Sequence, residues 1–424
     1  MISLCIGKIP EKLHTFFEPL RRHVRTPVFR HLWGYVLALA VTTGRRDVKT
    51  LHRWLPDGPC RQNVTDFLIA APWDAAAALR AAILEVVTTA RPKPGRRLYL
   101  ILDGSKAAKR GKKMEGAHKF YVPMGGRAAW GHQFLLGALE FEGKTVPLGV
   151  ELYAPKAFVR SAKGRKLGLE PQTLNDLAAK IIREFPQEWV DLYEVVVLFD
   201  AGFFNETVTS ACEERGLTYV GRAPKNRVFY PDHYRGKRDL GRYGPGVLRY
   251  EGREVRLRGA KGTTRYRVAQ RDGRMRTVGR VRVVFSRRLS DGGTAYLVTN
   301  NFEFSARDVV EAYTHRWSIE VLIKLLKQRL GLGDYQTGSF TGVLRHLHMV
   351  CLAHLALTHL GLKASRHAKA TAKTTTPLQP SIQALQDQLR GLVWQDHAKR
   401  FRRRKNGHAI IHAIEEVMPK RKAA

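Results

Sequence analysis

Acidic residues are scarce in this chain. Only 37 Asp and Glu stand against 73 Lys and Arg, giving a formal charge of +36 and a pI near 10.5. Solubility needs a far smaller imbalance. An excess of this size suits a polyanionic partner, because each neutralised phosphate releases condensed counterions, so nucleic acid is the first expectation. Cysteine is scarce as well: Cys5, Cys60, Cys212 and Cys351 lie far apart and form no CxxC pair, which argues against a zinc ribbon or a disulfide framework and fits a reducing cytosol. No GxxxxGK[ST] loop is present, so an ATP-driven motor loses its main support. MISLCIGKIP lacks the charged start and long apolar run of a secretory leader, and runs such as YVLALAV at 35–41 are too short to span a bilayer. The expectation is a cytoplasmic, nucleoid-associated protein without a membrane partner.

What the chain does contain is enough apolar residue, 44% of 424, to bury a core and fill about three domains. Residues 1–93 are expected to be helical, from FRHLWGYVLALAV and the Ala- and Leu-rich AAPWDAAAALRAAILEVVTTA. After RPKPGRR the texture turns to strands: RLYLILD at 97–103, a hairpin over 132–153 with its turn at Glu142-Gly143-Lys144, and YEVVVLFD at 193–200. Helix candidates at 171–185 and after Asp200 alternate with these strands and with LTYVGRA at 217–223, so the segment 94–225 is expected to be a mixed α/β sheet. The stretch 226–296, rich in Gly, Arg and Tyr, is expected to form antiparallel hairpins, including GVLRYEGREVRLRG. Helical texture returns over 297–361, where Ser305 and Asp308 suit a capping box. The region 362–424 is basic, with a low-complexity start, a short helix pair and the runs KRFRRRK and PKRK.

Residues 312–332, AYTHRWSIEVLIKLLKQRLGL, carry the chemistry-bearing pattern. On one continuous helix, at about 100° per residue, Tyr313, Arg316, Glu320, Lys324 and Lys327 share an arc of about 80°, and apolar residues including Val321 take most of the rest. Two readings are open for that stripe. It is a solvated face on which Lys324 pairs with Glu320, or Glu320 serves a site together with the two aspartates that end apolar strands, Asp103 in YLILD and Asp200 in EVVVLFD. Like charges about 4 Å apart repel by roughly 4 kcal/mol at an effective dielectric near 20, so three gathered carboxylates need cations. Two Mg²⁺ ions, for which Mn²⁺ can substitute, would hold Asp103, Asp200 and Glu320 and serve phosphodiester cleavage. Arg316, Lys327 and Tyr313 would then hold a DNA strand. Lys112 and Lys113, with Lys106, Lys109 and Arg110, fall in the segment SKAAKRGKKMEG after Asp103 and are further candidates for DNA-backbone contact. His346, His348 and His354 are expected to be neutral core or surface histidines rather than a tetrahedral zinc set.

The spacing Tyr313, two residues, Arg316, three residues, Glu320, six residues, Lys327 resembles the Tyr-Arg-Glu-Lys signature of bacterial insertion-sequence DDE transposases of the cut-and-paste branch. LFDAGFF around Asp200 and LILDGS followed by KRGKKMEG look like the second- and first-acid regions of that family. Asp103 and Asp200 are 97 residues apart, and Asp200 and Glu320 are 120 apart. The resemblance implies a ribonuclease H-like core over 94–225 and 297–361 with a β-rich insertion at 226–296, and catalytic and metal-binding roles for Asp103, Asp200 and Glu320. It further implies cleavage of double-stranded DNA at terminal inverted repeats and transfer into target DNA by a homodimer. The N-terminal helices, with Arg45, Arg46, Lys49 and Arg53, would bind DNA. One departure from relatives that make a hairpin intermediate is the absence of Trp from 226–296, where Phe229, Tyr230, Tyr234, Tyr243, Tyr250 or Tyr266 would have to stack on a flipped base instead. The rival functions are a non-catalytic DNA-binding protein derived from such an enzyme and a structure-specific nuclease on the same core.

Overall fold

A computed structural model describes residues 6–55, 60–122, 127–234, 236–259, 262–371 and 380–402. The chain divides into two compact units, one formed by residues 92–324 and the other by residues 1–91 together with 325–424.

Among the described residues, twelve strands of the first unit make one sheet: β1 (Arg97–Ala108), β2 (His118–Val122), β3 (Arg127–Phe141), β4 (Lys144–Leu152), β5 (Glu194–Phe199), β6 (Thr218–Ala223), β7 (Val228–Pro231), β8 (Arg238–Asp239), β9 (Arg253–Gly259), β10 (Gly262–Met275), β11 (Gly279–Arg288) and β12 (Thr294–Thr299). Their order is β2-β3-β1-β5-β6-β12-β11-β10-β7-β8, with β4 added on β3 and β9 on β10. β1, β5 and β6 run parallel, whereas β3 lies antiparallel beside β1. This mixed α/β sheet is consistent with a ribonuclease H-like core. The parallel strands read as apolar runs because both of their faces are covered: Leu98 to Leu102 and Val195 to Phe199 are all buried. Each such side chain contributes roughly 1.5–3 kcal/mol of apolar burial.

The β3–β4 turn is where the sequence places it, with Glu142 and Gly143 both at positive φ, 46° and 74°. The helix Leu174–Arg183 packs on β3 so closely that a Cβ on Gly137 would sit 3.0 Å from Ile181. On the far side of β6 the antiparallel strands β7 to β12 extend the same sheet. They are interrupted by a helix, Leu240–Glu251, where the sequence reading expected hairpin. One β-branched residue, Val247, stands in LGRYGPGVLRYE, and Asp239 caps the helix by accepting from the Gly241 and Arg242 amides. The capping box of Ser305 with Asp308 starts the helix Ala306–Thr314 as its sequence suggests.

The other unit is helical. Residues Phe340–Thr371 form one long helix against which the helices His14–Arg21, Thr26–Val41, Arg61–Ile69, Ala75–Ala90 and Ile382–Arg402 are arranged. Its stretch Phe340–Arg366 is 27 residues long and holds an 18-residue window of mean hydropathy 1.3, long and apolar enough to cross a bilayer, yet 83% of that window is buried inside the protein. It is the core helix of a bundle, and it corrects the expected change of texture at 362, since the helix continues to Thr371. The rest of the low-complexity stretch, residues 372–379, and the end of the chain from 403, with the last three residues of KRFRRRK and all of PKRK, lie outside the described residues.

Candidate active site

The sheet register brings the two aspartates together. β1 and β5 pair in parallel from Arg97 opposite Glu194 to Leu102 opposite Phe199. The next step of that register sets Asp103 beside Asp200, so the 97-residue separation is the register offset itself. Asp103 does not end its strand, as the sequence reading expected: β1 continues to Ala108 because β3 keeps pairing with it. Asp200 does leave the sheet. Its Oδ1 accepts from the Gly202 amide at 2.9 Å, and a Cβ on Gly202 would lie only 3.2 Å from that oxygen, which suits the glycine of LFDAGFF to the turn.

Asp103 is held in surroundings that resist its ionisation. Burial raises its pKa first, Asp200 and Glu320 raise it further, and Arg316 and a backbone hydrogen bond from Gly104 oppose them, leaving it at about 6. Since Glu320 and Arg316 act on Asp103 electrostatically, the helical segment 313–320 faces the strand-borne acids.

That segment is not one continuous helix. The helix Ala306–Thr314 ends, a tight turn follows, and a second helix runs Trp317–Leu330. The amides of His315, Arg316, Ser318 and Ile319 donate to the carbonyls of Ala312, Tyr313, His315 and Arg316, each three residues back, which winds the chain more tightly than an α-helix. Tyr313 and Arg316 therefore reach the site from before and within the turn, and the single-helix arc is corrected accordingly. The Arg316 guanidinium donates to the Glu320 carboxylate and lies 5.8 Å from the centre of the Tyr313 ring. Burial alone would lower its pKa, but Tyr313, Glu320 and Asp103 outweigh burial and raise it. Burial raises the pKa of the Tyr313 hydroxyl, against Arg316 and Arg222 and with Asp200. Of the two readings open for Glu320, the pairing with Lys324 gives way to a pairing with Arg316. Lys324 is exposed beside Val321 at 52% and Trp317 at 63%, so the water-facing stripe of this helix is not the one that carries Glu320.

Arg222 is the residue that sequence reading missed. One step past the last β5–β6 pair, Phe199 opposite Gly221, it stands beside Asp200 on the next parallel strand. The only signal was its place, at a strand end following LTYVG. Lys327 is half-buried two turns beyond Glu320, on the part of the helix that belongs to the helical unit. Lys112 and Lys113 are exposed in the connection between β1 and β2, which starts only at Lys109, since Ser105 to Ala108 are strand. The Lys106 amine donates to the Tyr121 carbonyl at 2.9 Å.

Several candidates do other work. Arg46 is 5% exposed and donates to the carbonyls of Leu39, Thr42 and Gly44, closing the end of the helix Thr26–Val41, so it does not read DNA bases. Phe229 is fully buried and is no stacking platform, while Tyr250 is 80% exposed. His346 bridges the Tyr35 hydroxyl at 3.0 Å and the Gly331 carbonyl at 2.9 Å, and burial lowers the His354 pKa to about 4. Among the described residues no three His, Cys, Asp or Glu side chains are gathered as a metal cluster, and Glu320 is turned onto Arg316. The donor chemistry nonetheless fits a hard cation: two in-register carboxylates, and a third within electrostatic reach, oppose one another's ionisation.

A parallel-stranded core with paired aspartates at one register level, opposed by a helix-borne acid and arginine, is an arrangement whose chemistry suits phosphodiester cleavage. The family model described as DDE superfamily endonuclease matches residues 16–282, more than half of the chain, and the protein belongs to that family, which supports an endonuclease of the DDE transposase type. Asp103 and Asp200 fall within the matched residues, and Glu320 lies beyond them. No curated protein matches the chain.

Proposed function

We propose that this protein is a DNA transposase of the Tyr-Arg-Glu-Lys branch, which binds the ends of its element, cleaves DNA strands there and transfers the freed 3′ hydroxyl into target DNA. The observation that carries this reading is the parallel register that sets Asp103 beside Asp200, with Glu320, held by Arg316, close enough to oppose Asp103 ionisation. A charge cluster that opposes itself is costly unless a cation joins it.

Asp103 and Asp200 would hold Mg²⁺ or Mn²⁺, with Glu320 completing the oxygen ligands. Bound divalent metal supplies Lewis acidity at the scissile phosphate and a more acidic water. The rest of the chemistry belongs to the side chains. Arg316 restrains the Glu320 carboxylate and has further guanidinium donors for a phosphate oxygen. Tyr313 presents a hydroxyl that stays protonated and donates. Arg222 adds positive charge beside Asp200. Lys324, Lys327, Lys112 and Lys113 attract the DNA backbone, and the N-terminal helices engage the terminal inverted repeats. Two ends must be joined, so the working form is a homodimer on DNA.

The test is a cleavage assay in Mg²⁺ on linear DNA carrying the sequences that flank the coding region. Wild type nicks at the element boundaries. Asp103→Ala, Asp200→Ala and Glu320→Ala each lose about 10³-fold or more in rate while retaining fold and DNA binding. Variants that cut like wild type would refute the assignment of the acids.

A further inference from the structure

His315 is the residue at the turn between Tyr313 and Glu320 that nothing above uses. Its ring stacks on Tyr99 with centroids 4.2 Å apart and planes 16° from parallel. Its Nδ1 lies 2.6 Å from Oε2 of Glu140, a carboxylate only 4% exposed. A carboxylate only accepts, so Nδ1 carries the proton. Tyr99 and Glu140 are opposite one another on β1 and β3. Tyr99 is also four residues from Asp103 on the same strand, hence on the same face of the sheet.

We propose that His315 is a positioning residue for DNA cleavage: with Glu140 and Tyr99 it pins the turn to the strand that carries Asp103, and so fixes where Arg316 and Glu320 stand relative to the aspartates. The inference rests on the cleavage reading above. The turn has no long helix ladder of its own to define it, only bonds to carbonyls three residues back. Its direction is set by side chains, and His315 is the one anchored to two adjacent strands. Released from Glu140, the turn relaxes toward a continuous helix, which rotates Arg316 and Glu320 away from Asp103. Displacements of about 1 Å at such a site cost about 100-fold in rate.

The experiment compares His315→Ala, His315→Asn and His315→Gln. The Asn amide donates from the place of Nδ1–H, whereas the Gln amide reaches the place of Nε2 and misses Glu140. The Ala and Gln variants should lose about 100-fold in single-turnover cleavage, with DNA affinity within about twofold. Amide exchange at Ser318 and Ile319 should quicken by about tenfold while exchange in β1 and β5 stays slow. The Asn variant should recover most of the rate and the slow exchange. Should the Ala variant not fold, the Asn and Gln pair decides. Equal rates for Asn and Gln, or an Ala variant that cuts like wild type, would overturn the proposal. A wild-type protein that cuts no DNA in Mg²⁺ or Mn²⁺ would refute the cleavage reading instead, and unchanged exchange at Ser318 and Ile319 in the Ala and Gln variants would then still refute the pin.

Discussion

Arginine serves opposite ends in the two units. In the helical unit, Arg46 donates to three carbonyls, and Arg345 donates to the carbonyls of Leu68 and Trp73 at 3.2 and 3.1 Å. Burial is the largest influence on both and lowers their pKa values. In the α/β unit Arg316 is half-buried too, yet its neighbours are Glu320, Asp103 and the Tyr313 hydroxyl, which together raise its pKa. A buried arginine ringed by carbonyls completes helix ends and has little left for a ligand. One ringed by carboxylates marks a place where anions and cations are traded, which is what a phosphate bound through metal requires.

Exchanging the two arginines' fates sharpens the contrast most. Arg316→Ala should cost about 100-fold in cleavage with a small change in Tm. Arg46→Met should leave cleavage per folded molecule near wild type but cost on the order of 3 kcal/mol of stability, because helix-end carbonyls lose their donors. Thermal melts and single-turnover rates on the same preparations check both, and a catalytic loss for Arg46→Met with unchanged Tm would break the comparison.

A second effect comes from Asp103. Its folded pKa of about 6 lies above the ordinary carboxyl value of 3.8, so the fold favours the protonated acid. The stability from that protonation is fully present below about pH 4 and is lost as pH rises through about 6. Without divalent metal, Asp103→Asn should therefore be more stable than wild type at pH 8, by on the order of 2 kcal/mol, and the gain should vanish near pH 4. Denaturant melts across that range decide, and an Asn variant less stable at pH 8 contradicts the charge account. The smallest effect belongs to the exposed loop. Lys112→Ala with Lys113→Ala should lower the slope of log affinity for DNA against log salt by up to about 0.9 per lysine and leave Tm unchanged. An unaltered slope removes the loop from the DNA interface.

The sheet was more legible than the site. Apolar runs ending in Asp103 and Asp200, the Glu142-Gly143 turn and the Ser305 cap are local signals, and period and capping rules read them. What local pattern does not carry is what a distant partner imposes. β3 extends β1 past Asp103, and Glu140 and Tyr99 hold the turn at His315 that splits an otherwise helical sequence. The same holds for Arg46, which looks like a basic surface residue in GRRDVK but is buried where its backbone amide donates to the distant Asp334, and for Arg222, whose place beside Asp200 comes from strand order alone.

The central claim is that Asp103, Asp200 and Glu320 form one cation site. Titration of Mn²⁺ into metal-free protein, followed by the loss of free-ion electron paramagnetic resonance signal, tests it most directly. Wild type should bind Mn²⁺, Asp103→Ala and Asp200→Ala should lose that binding, and Glu320→Ala should weaken it. Undiminished binding in a variant lacking both Asp103 and Asp200 would contradict the account.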